Sequence, residues 1–172
     1  SSLTSNSLAQ ILLAENFGIR PETEIAEPDL GTMLREFDAG ILIGDRGMEA
    51  ESGELHVLDL GEAWTNLTGL PFVWALWIGC DRLDHILCAT LNRAHENWLE
   101  NRSMRIPKIA KEAGWSELQT ARYLEQTMRY PFGESEWRGL MTFRDLLVKH
   151  GFAGESLTPA VVMPSGDLVV GR

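Results

Sequence analysis

The stretch DAGILIGD, residues 38–45, decides the fold class that this sequence predicts. Its centre, Ile41–Ile43, is continuously apolar and rich in β-branched side chains. Such a run is typical of a strand buried on both faces of a parallel or mixed sheet. The strand is expected to end at Gly44 and Asp45, where a loop begins. The sequence therefore predicts an α/β region around this stretch.

Flanking segments extend the α/β pattern on both sides. A first helix is expected to start after an N-cap at Thr4 and to close at Gly18. Asp29 is placed to cap a second helix, whose inner side would carry Leu30, Met33, Leu34 and Phe37. Further strands are expected over 23–28, 54–61 and 71–79, with a short helix or turn over 62–69.

From Asp81 onward the pattern predicts helices. Apolar residues at helical spacing indicate one amphipathic helix over about 81–100. Ser103 is placed to cap a helix that ends at Gly114, and Ser116 with Gln119 forms a capping box for the next one. A fourth helix covers 134–151, and the tail holds one strand-like piece, 167–170.

Composition limits the classes of partner. The 172 residues carry 25 acidic and 15 basic side chains, a formal net charge of -10. This balance argues against a nucleic-acid partner and against an anionic membrane, because both reward a basic surface. The longest apolar run, residues 69–79, is too short to span a bilayer. No signal peptide is visible, and a cytoplasmic location is expected.

Metal and cofactor chemistry have little support in the sequence. Cys80 and Cys88 lie eight residues apart in a predicted helix, which is too far for a shared disulfide or metal ion, so reduced thiols are expected. His95 and Glu96 begin a zinc-protease-like pattern, but Leu99 stands where the second histidine is needed. Phosphate-binding and dinucleotide-binding glycine patterns are missing, so we expect no metal and no cofactor.

The first turn of the chain, SSLTSNS, permits two interpretations. One is ordinary capping by Thr4, with Leu3 and Leu8 as a hydrophobic staple. The other adds a ligand, because free N–H groups, the positive end of the helix dipole and several hydroxyls together favour an anion. In that interpretation Thr4, Ser5, Asn6 and Ser7 form the binding site.

Asp45 is a second candidate site residue. It follows a predicted buried strand, and α/β folds place their ligand crevices outside the carboxyl ends of strands. A cap or turn aspartate explains the same position without any ligand. The tryptophans, including Trp74, Trp77 and Trp98, are expected mainly in the core.

Three stretches together carry a family resemblance. TSNSLAQILL (4–13), DAGILIGDRGM (38–48) and above all LDLGEAWTNLTGLPFVWALWI (58–78) resemble the chorismate dehydratase family of the futalosine-dependent menaquinone pathway. Residues 121–143 match the closing helices of that family more loosely. The resemblance covers most of the chain up to about residue 152.

This resemblance implies a fold similar to type II periplasmic binding proteins, with two α/β lobes and a cleft between them. Residues 1–79 would form the second lobe, a mixed sheet flanked by helices and including a strand that crosses back. Residues 80–152 would be C-terminal helices that pack on the hinge and the first lobe, and 153–172 a tail. The first lobe would be largely absent, so the apolar hinge surface is expected to be poorly buried and to promote a homodimer or a domain swap.

The activity implied by the resemblance is the removal of water from chorismate, giving 3-(1-carboxyvinyloxy)benzoate, with no cofactor. Thr4, Ser5, Asn6, Ser7 and Gly44 would then bind this anionic substrate. Asp45 would be the catalytic acid or an orienting group. Two alternatives remain: a non-catalytic solute-binding or ligand-sensing domain of the same fold, and the related 1,4-dihydroxy-6-naphthoate synthase.

Overall fold

The computed structural model describes residues 2–50, 53–77 and 85–155, together with two short strands at 160–162 and 168–170. Helices make up most of these residues: α1 (Leu3–Phe17), α2 (Leu30–Glu36), α3 (Asp45–Glu49), α4 (Leu60–Thr68), α5 (His85–Ala113), α6 (Glu117–Arg122) and α7 (Glu134–Lys149). A π-helical turn, Tyr123–Thr127, continues α6. Strand β1 (Ala160–Val162) pairs antiparallel with β2 (Leu168–Val170).

The predicted α/β fold with a mixed sheet is wrong. In the described chain the segments 23–28, 41–43, 54–59 and 71–77 form no strand, and the sheet is limited to the β1–β2 pair. A periplasmic-binding-protein-like lobe built on such a sheet is therefore not supported. The physical reason is that β-propensity measures how well a side chain fits a paired, half-buried surface. No described segment supplies a partner strand to 41–43, and Ile43 stays 50% exposed.

The helix signals in the sequence were more reliable than the strand signals. Asp29 caps α2 as predicted, since its Oδ1 accepts a hydrogen bond from Thr32 N at 2.8 Å. Of the four residues expected on the inner side of that helix, only Met33 is buried. The predicted short helix after residue 60 is α4, and the predicted final helix is α7. The strand expected at 167–170 corresponds to β2.

The chain divides into two compact units. Unit 1 contains Ser1–Ala75 and Ser135–Leu157, and unit 2 contains Leu76–Glu134 and Thr158–Arg172. In unit 1, α1 packs against α4, and α7 contributes Phe143 to the same core. The buried residues of this core are Leu8, Ile11, Leu12, Ala63, Trp64 and Phe143.

Three aromatic rings form the centre of the unit 1 core. Trp64 contacts Phe72 and Phe143 edge to face, with ring centroids 5.2 and 5.9 Å apart. Phe72 and Phe143 contact each other in the same way at 4.9 Å. Edge-to-face pairs of this kind add stability beyond the area that they bury. The non-helical segment that carries Phe72 is thereby held against α4 and α7.

Gly139 of α7 allows that segment to approach closely. A Cβ atom at this position would collide with the carbonyl oxygen of Pro71. The helix therefore needs a residue without a side chain here, in spite of the low helix propensity of glycine.

Unit 2 is built on the long helix α5. A helix boundary at Ser103 is wrong, because α5 runs through Ser103 and through Pro107 to Ala113. The capping box of Ser116 and Gln119 at the start of α6 is confirmed. An ion pair between Arg102 Nε and Glu125 Oε1, 2.8 Å long, joins α5 to the π-helical turn.

The apolar segment 71–77 packs only in part. Trp74 is 50% exposed and Trp77 is 80% exposed, so neither is a core residue in the described structure. No helix among the described residues is both long enough and apolar enough to cross a membrane.

Candidate functional site

The candidate site begins at the N-terminus of α1. Ser2, not Thr4, is the N-cap: its Oγ accepts a hydrogen bond from Ser5 N at 3.3 Å. The Ser5 hydroxyl donates to the same oxygen at 3.2 Å. The predicted staple is also wrong, because Leu3 is 82% exposed. Hydrogen bonds between Ser2 and Ser5 thus cap the first turn. The N-cap lies two residues before the predicted one.

This cap separates the predicted binding residues into two groups. Ser5 is buried and its hydroxyl donates to Ser2 Oγ, so its side chain is part of the helix cap. Thr4, Asn6 and Ser7 are half-buried, and their side chains have no hydrogen-bond partner among the residues that the structure describes. These three side chains are the ones free to meet a ligand.

Backbone donors and charge at this helix end favour an anion. The N–H groups of Leu3 and Thr4 lie in the first turn, where an α-helix provides no acceptor of its own. The first turn also carries no acidic side chain. A helix of 15 residues places about half a positive charge at this end. The turn therefore offers donors and positive potential without a competing carboxylate.

Gly44 and Asp45 lie at the start of the short helix α3. Gly44 has a positive φ of 62°, which glycine adopts without strain, and its carbonyl oxygen accepts from Gly47 N and Met48 N. A Cβ atom at Gly44 would meet no atom within 4 Å, so the backbone is open to a close approach. Asp45 is exposed in the first turn of α3. No hydrogen bond in the described structure joins it to Thr4–Ser7.

Two cavities lie elsewhere on unit 1. The larger, about 520 Å³, lies between the C-terminal end of α1 and the N-terminal half of α4. Phe17, Val57, Leu58 and Leu67 line it together with the acidic Asp59 and Glu62. Its carboxylates repel negative charge, so this cavity does not suit an anionic ligand.

The smaller cavity, about 240 Å³, was not anticipated from the sequence. It lies beside α1 and is lined by Gln10, Ala14, Arg20, Pro21, His150 and Phe152. The sequence signal for it is weak, because Arg20 and His150 are 130 positions apart and only tertiary packing brings them to one cavity. Neither cavity is lined by Thr4–Ser7, Gly44 or Asp45.

A charged cluster lies next to the smaller cavity. Glu15 Oε1 is 2.7 Å from Lys149 Nζ and 2.6 Å from His150 Nε2, and the His150 side chain is 8% exposed. The hydrogen bond from Lys149, followed by that from His150, lowers the pKa of Glu15 below its usual value. The cluster therefore ties the end of α1 to the end of α7.

The described residues contain no group of three His, Cys, Asp or Glu side chains that could hold a metal ion. His95 contacts the Tyr130 ring instead, with centroids 5.6 Å apart. Cys88 is a half-buried free thiol, and Cys80 lies outside the described residues.

Comparison with known proteins gives these features a context. A family model described as menaquinone biosynthesis matches residues 1–149, which is most of the chain. The chain belongs to the menaquinone biosynthesis family. The α1 N-terminus, α3 and the larger cavity fall inside the matched region, whereas His150 and Phe152 of the smaller cavity lie just beyond it.

One relative is a chorismate dehydratase of Thermus thermophilus, 36% identical over 93 residues. The match covers 44% of this chain and 34% of that protein, so the chain spans about a third of the length of this curated relative. No solved structure is significantly similar to the chain.

Proposed function

We propose that this chain is part of a chorismate dehydratase, which removes water from chorismate to give 3-(1-carboxyvinyloxy)benzoate. The family match over residues 1–149 is the main support for this proposal, and the similarity to a chorismate dehydratase adds to it. The donor-rich first turn of α1 adds physical support, because the substrate carries two carboxylates.

The chemistry of the substrate defines what such a site must provide. The C3 proton of chorismate is vinylogous to the ring carboxylate, so its removal spreads negative charge into that carboxylate. Departure of the C4 hydroxyl as water then gives an aromatic ring. The reaction needs donors where the charge develops, a proton for the leaving hydroxyl and a base near C3. No cofactor takes part.

The first turn of α1 is the proposed carboxylate site. The N–H groups of Leu3 and Thr4, with the side chains of Thr4, Asn6 and Ser7, would donate to one carboxylate of the substrate. Ser5 is assigned a positioning role, because its hydroxyl is engaged with the Ser2 cap. Negative charge that develops on the carboxylate would strengthen these bonds along the reaction.

Gly44 and Asp45 are assigned the remaining roles in the proposed site. The open backbone at Gly44 would allow the ligand to approach, and Asp45 would donate the proton to the leaving hydroxyl or orient it. For the base, the enolpyruvyl carboxylate of the substrate itself can take the C3 proton. The reaction is assigned to the cytoplasm, where small-molecule biosynthesis of this kind is expected.

Incubating the full-length natural protein with chorismate tests the function. We expect the ultraviolet absorbance of chorismate to give way to that of a substituted benzoate, with a product mass lower by one water. An unchanged chorismate signal would refute the proposal. Binding without turnover would favour the solute-binding alternative.

A further inference from the structure

The larger cavity of unit 1, here named the α1–α4 groove, has a mixed lining: five of its nine lining residues are apolar and two, Asp59 and Glu62, are acidic. Three of its lining side chains are apolar and open to solvent: Phe17 is 59% exposed, Val57 72% and Leu58 45%. Monomeric proteins seldom expose large apolar side chains side by side unless the patch binds something. The volume of about 520 Å³ admits several side chains of a partner.

The negative charge around the groove indicates what kind of surface can bind there. Asp59 and Glu62, which line the groove, lie at the start of α4. Residues 1–75 as a whole carry 13 acidic and three basic side chains. An occupant must therefore combine an apolar anchor with positive charge, because a second acidic surface would be repelled.

Helix α5 carries a face with this chemistry. Met104, Lys108 and Lys111 recur at helical spacing and are all exposed, Met104 to 73%. Ile106 and Ala110 of the same helix are buried, so α5 keeps a separate apolar side for its own packing. Lys108 Nζ lies 3.8 Å from Glu112 Oε1, and both side chains are exposed. Such a pair contributes little stability, so Lys108 can leave Glu112 for another carboxylate at little cost in free energy.

We propose that a second copy of this chain docks its Met104–Lys108–Lys111 face into the α1–α4 groove. Met104 would pack against Phe17, Val57 and Leu58 in the groove, since methionine adapts well to irregular gaps at interfaces. Lys108 and Lys111 would face Asp59 and Glu62. Each copy carries both surfaces, and the dimer proposed is the assembly in which two copies exchange these contacts about a two-fold axis. Contact between two grooves is disfavoured, because it would bring two sets of acidic side chains together.

Sedimentation velocity of the 172-residue chain over a range of concentrations tests this interface. The wild type should form a dimer that weakens as salt is raised, because exposed ion pairs are screened. Met104→Asp and Val57→Asp should each raise the dissociation constant at least tenfold. Leu118→Asp is the matched control: Leu118 is 80% exposed on α6, outside both surfaces, and its change should leave the dimer intact.

Charge reversal then tests the pairing itself. Glu62→Lys and Lys108→Glu should each weaken the dimer, and the double variant should restore it. A chain that stays monomeric at all concentrations would overturn the proposal. Equal loss from Leu118→Asp, or no rescue in the double variant, would also overturn it. Chorismate turnover is not part of this readout, so the result is independent of the proposed function.

Discussion

Glu15 Oε1 lies 2.6 Å from His150 Nε2, so residues 135 positions apart in sequence share one hydrogen bond. The same oxygen accepts from Lys149 Nζ at 2.7 Å. These two bonds hold the end of α7 to the end of α1, beside the cavity that Arg20 lines. The contact is partly buried, with the His150 side chain 8% exposed and that of Glu15 21% exposed. It is therefore expected to contribute more than an exposed ion pair.

This contact predicts a loss of stability in acid. Because the pKa of Glu15 is lower in the folded chain than its ordinary value of 4.5, its stabilisation is fully present above about pH 4.5. It is lost as the pH falls through the lower folded value. Glu15→Gln should lower the free energy of unfolding by about 1–2 kcal/mol at pH 7 and make it less sensitive to pH below 4.5.

Urea denaturation at pH 7 and at pH 3 measures both effects. Glu24→Gln serves as the control, since Glu24 is exposed and has no partner among the described residues. Identical acid sensitivity in Glu15→Gln and in the wild type would contradict the role of this contact.

Gly139→Ala should destabilise the chain by about 1–3 kcal/mol, because the new Cβ would collide with the carbonyl oxygen of Pro71. Gly31→Ala is the matched control in α2. Its Cβ would meet Asp29 Oδ1 and Arg35 Nη1 at 3.7 and 3.8 Å, which is ordinary contact, and alanine favours the helix. Chemical denaturation of both variants provides the comparison. Similar stabilities would show that α7 does not pack closely on Pro71.

Trp64→Ala should cost about 3–5 kcal/mol of unfolding free energy, because the side chain is fully buried between Phe72 and Phe143. Trp77→Ala should change the stability little, since Trp77 is 80% exposed. Thermal unfolding followed by circular dichroism separates the two variants. Equal losses would mean that Trp77 packs more tightly than its exposure indicates.

Two of the predicted helix caps and the family were confirmed, whereas the caps at Thr4 and Ser103 and the mixed sheet were not. Asp29 and the Ser116–Gln119 pair are local signals, because a side chain bonds a backbone group three residues away, and both were found as expected. A strand at Ile41–Ile43 depends instead on a neighbouring strand. Side-chain pattern alone cannot say where that neighbour is, and the described chain supplies none.

At the candidate site, the sequence predicted the start of α1 but misplaced its N-cap. The hydroxyl-rich start of α1 was apparent from the sequence, yet the choice between Ser2 and Thr4 as N-cap depends on backbone dihedral angles. Ser2 adopts φ -88° and ψ 114°, and this choice turns Ser5 from a ligand candidate into part of the cap. The Glu15–His150 contact had no local signal at all, because it forms only when α1 and α7 meet.

We propose that the first turn of α1 binds a carboxylate of chorismate, and one comparison of variants tests this binding directly. In the full-length natural protein, Thr4→Val with Ser7→Ala removes two free hydroxyls, whereas Ser2→Ala removes the cap. We measure kcat/KM for chorismate and Tm for both. The double variant should lose at least about tenfold in kcat/KM at a nearly unchanged Tm. Ser2→Ala should lower Tm through about 1 kcal/mol of lost capping and keep most of kcat/KM. An unchanged kcat/KM in the double variant would contradict the claim.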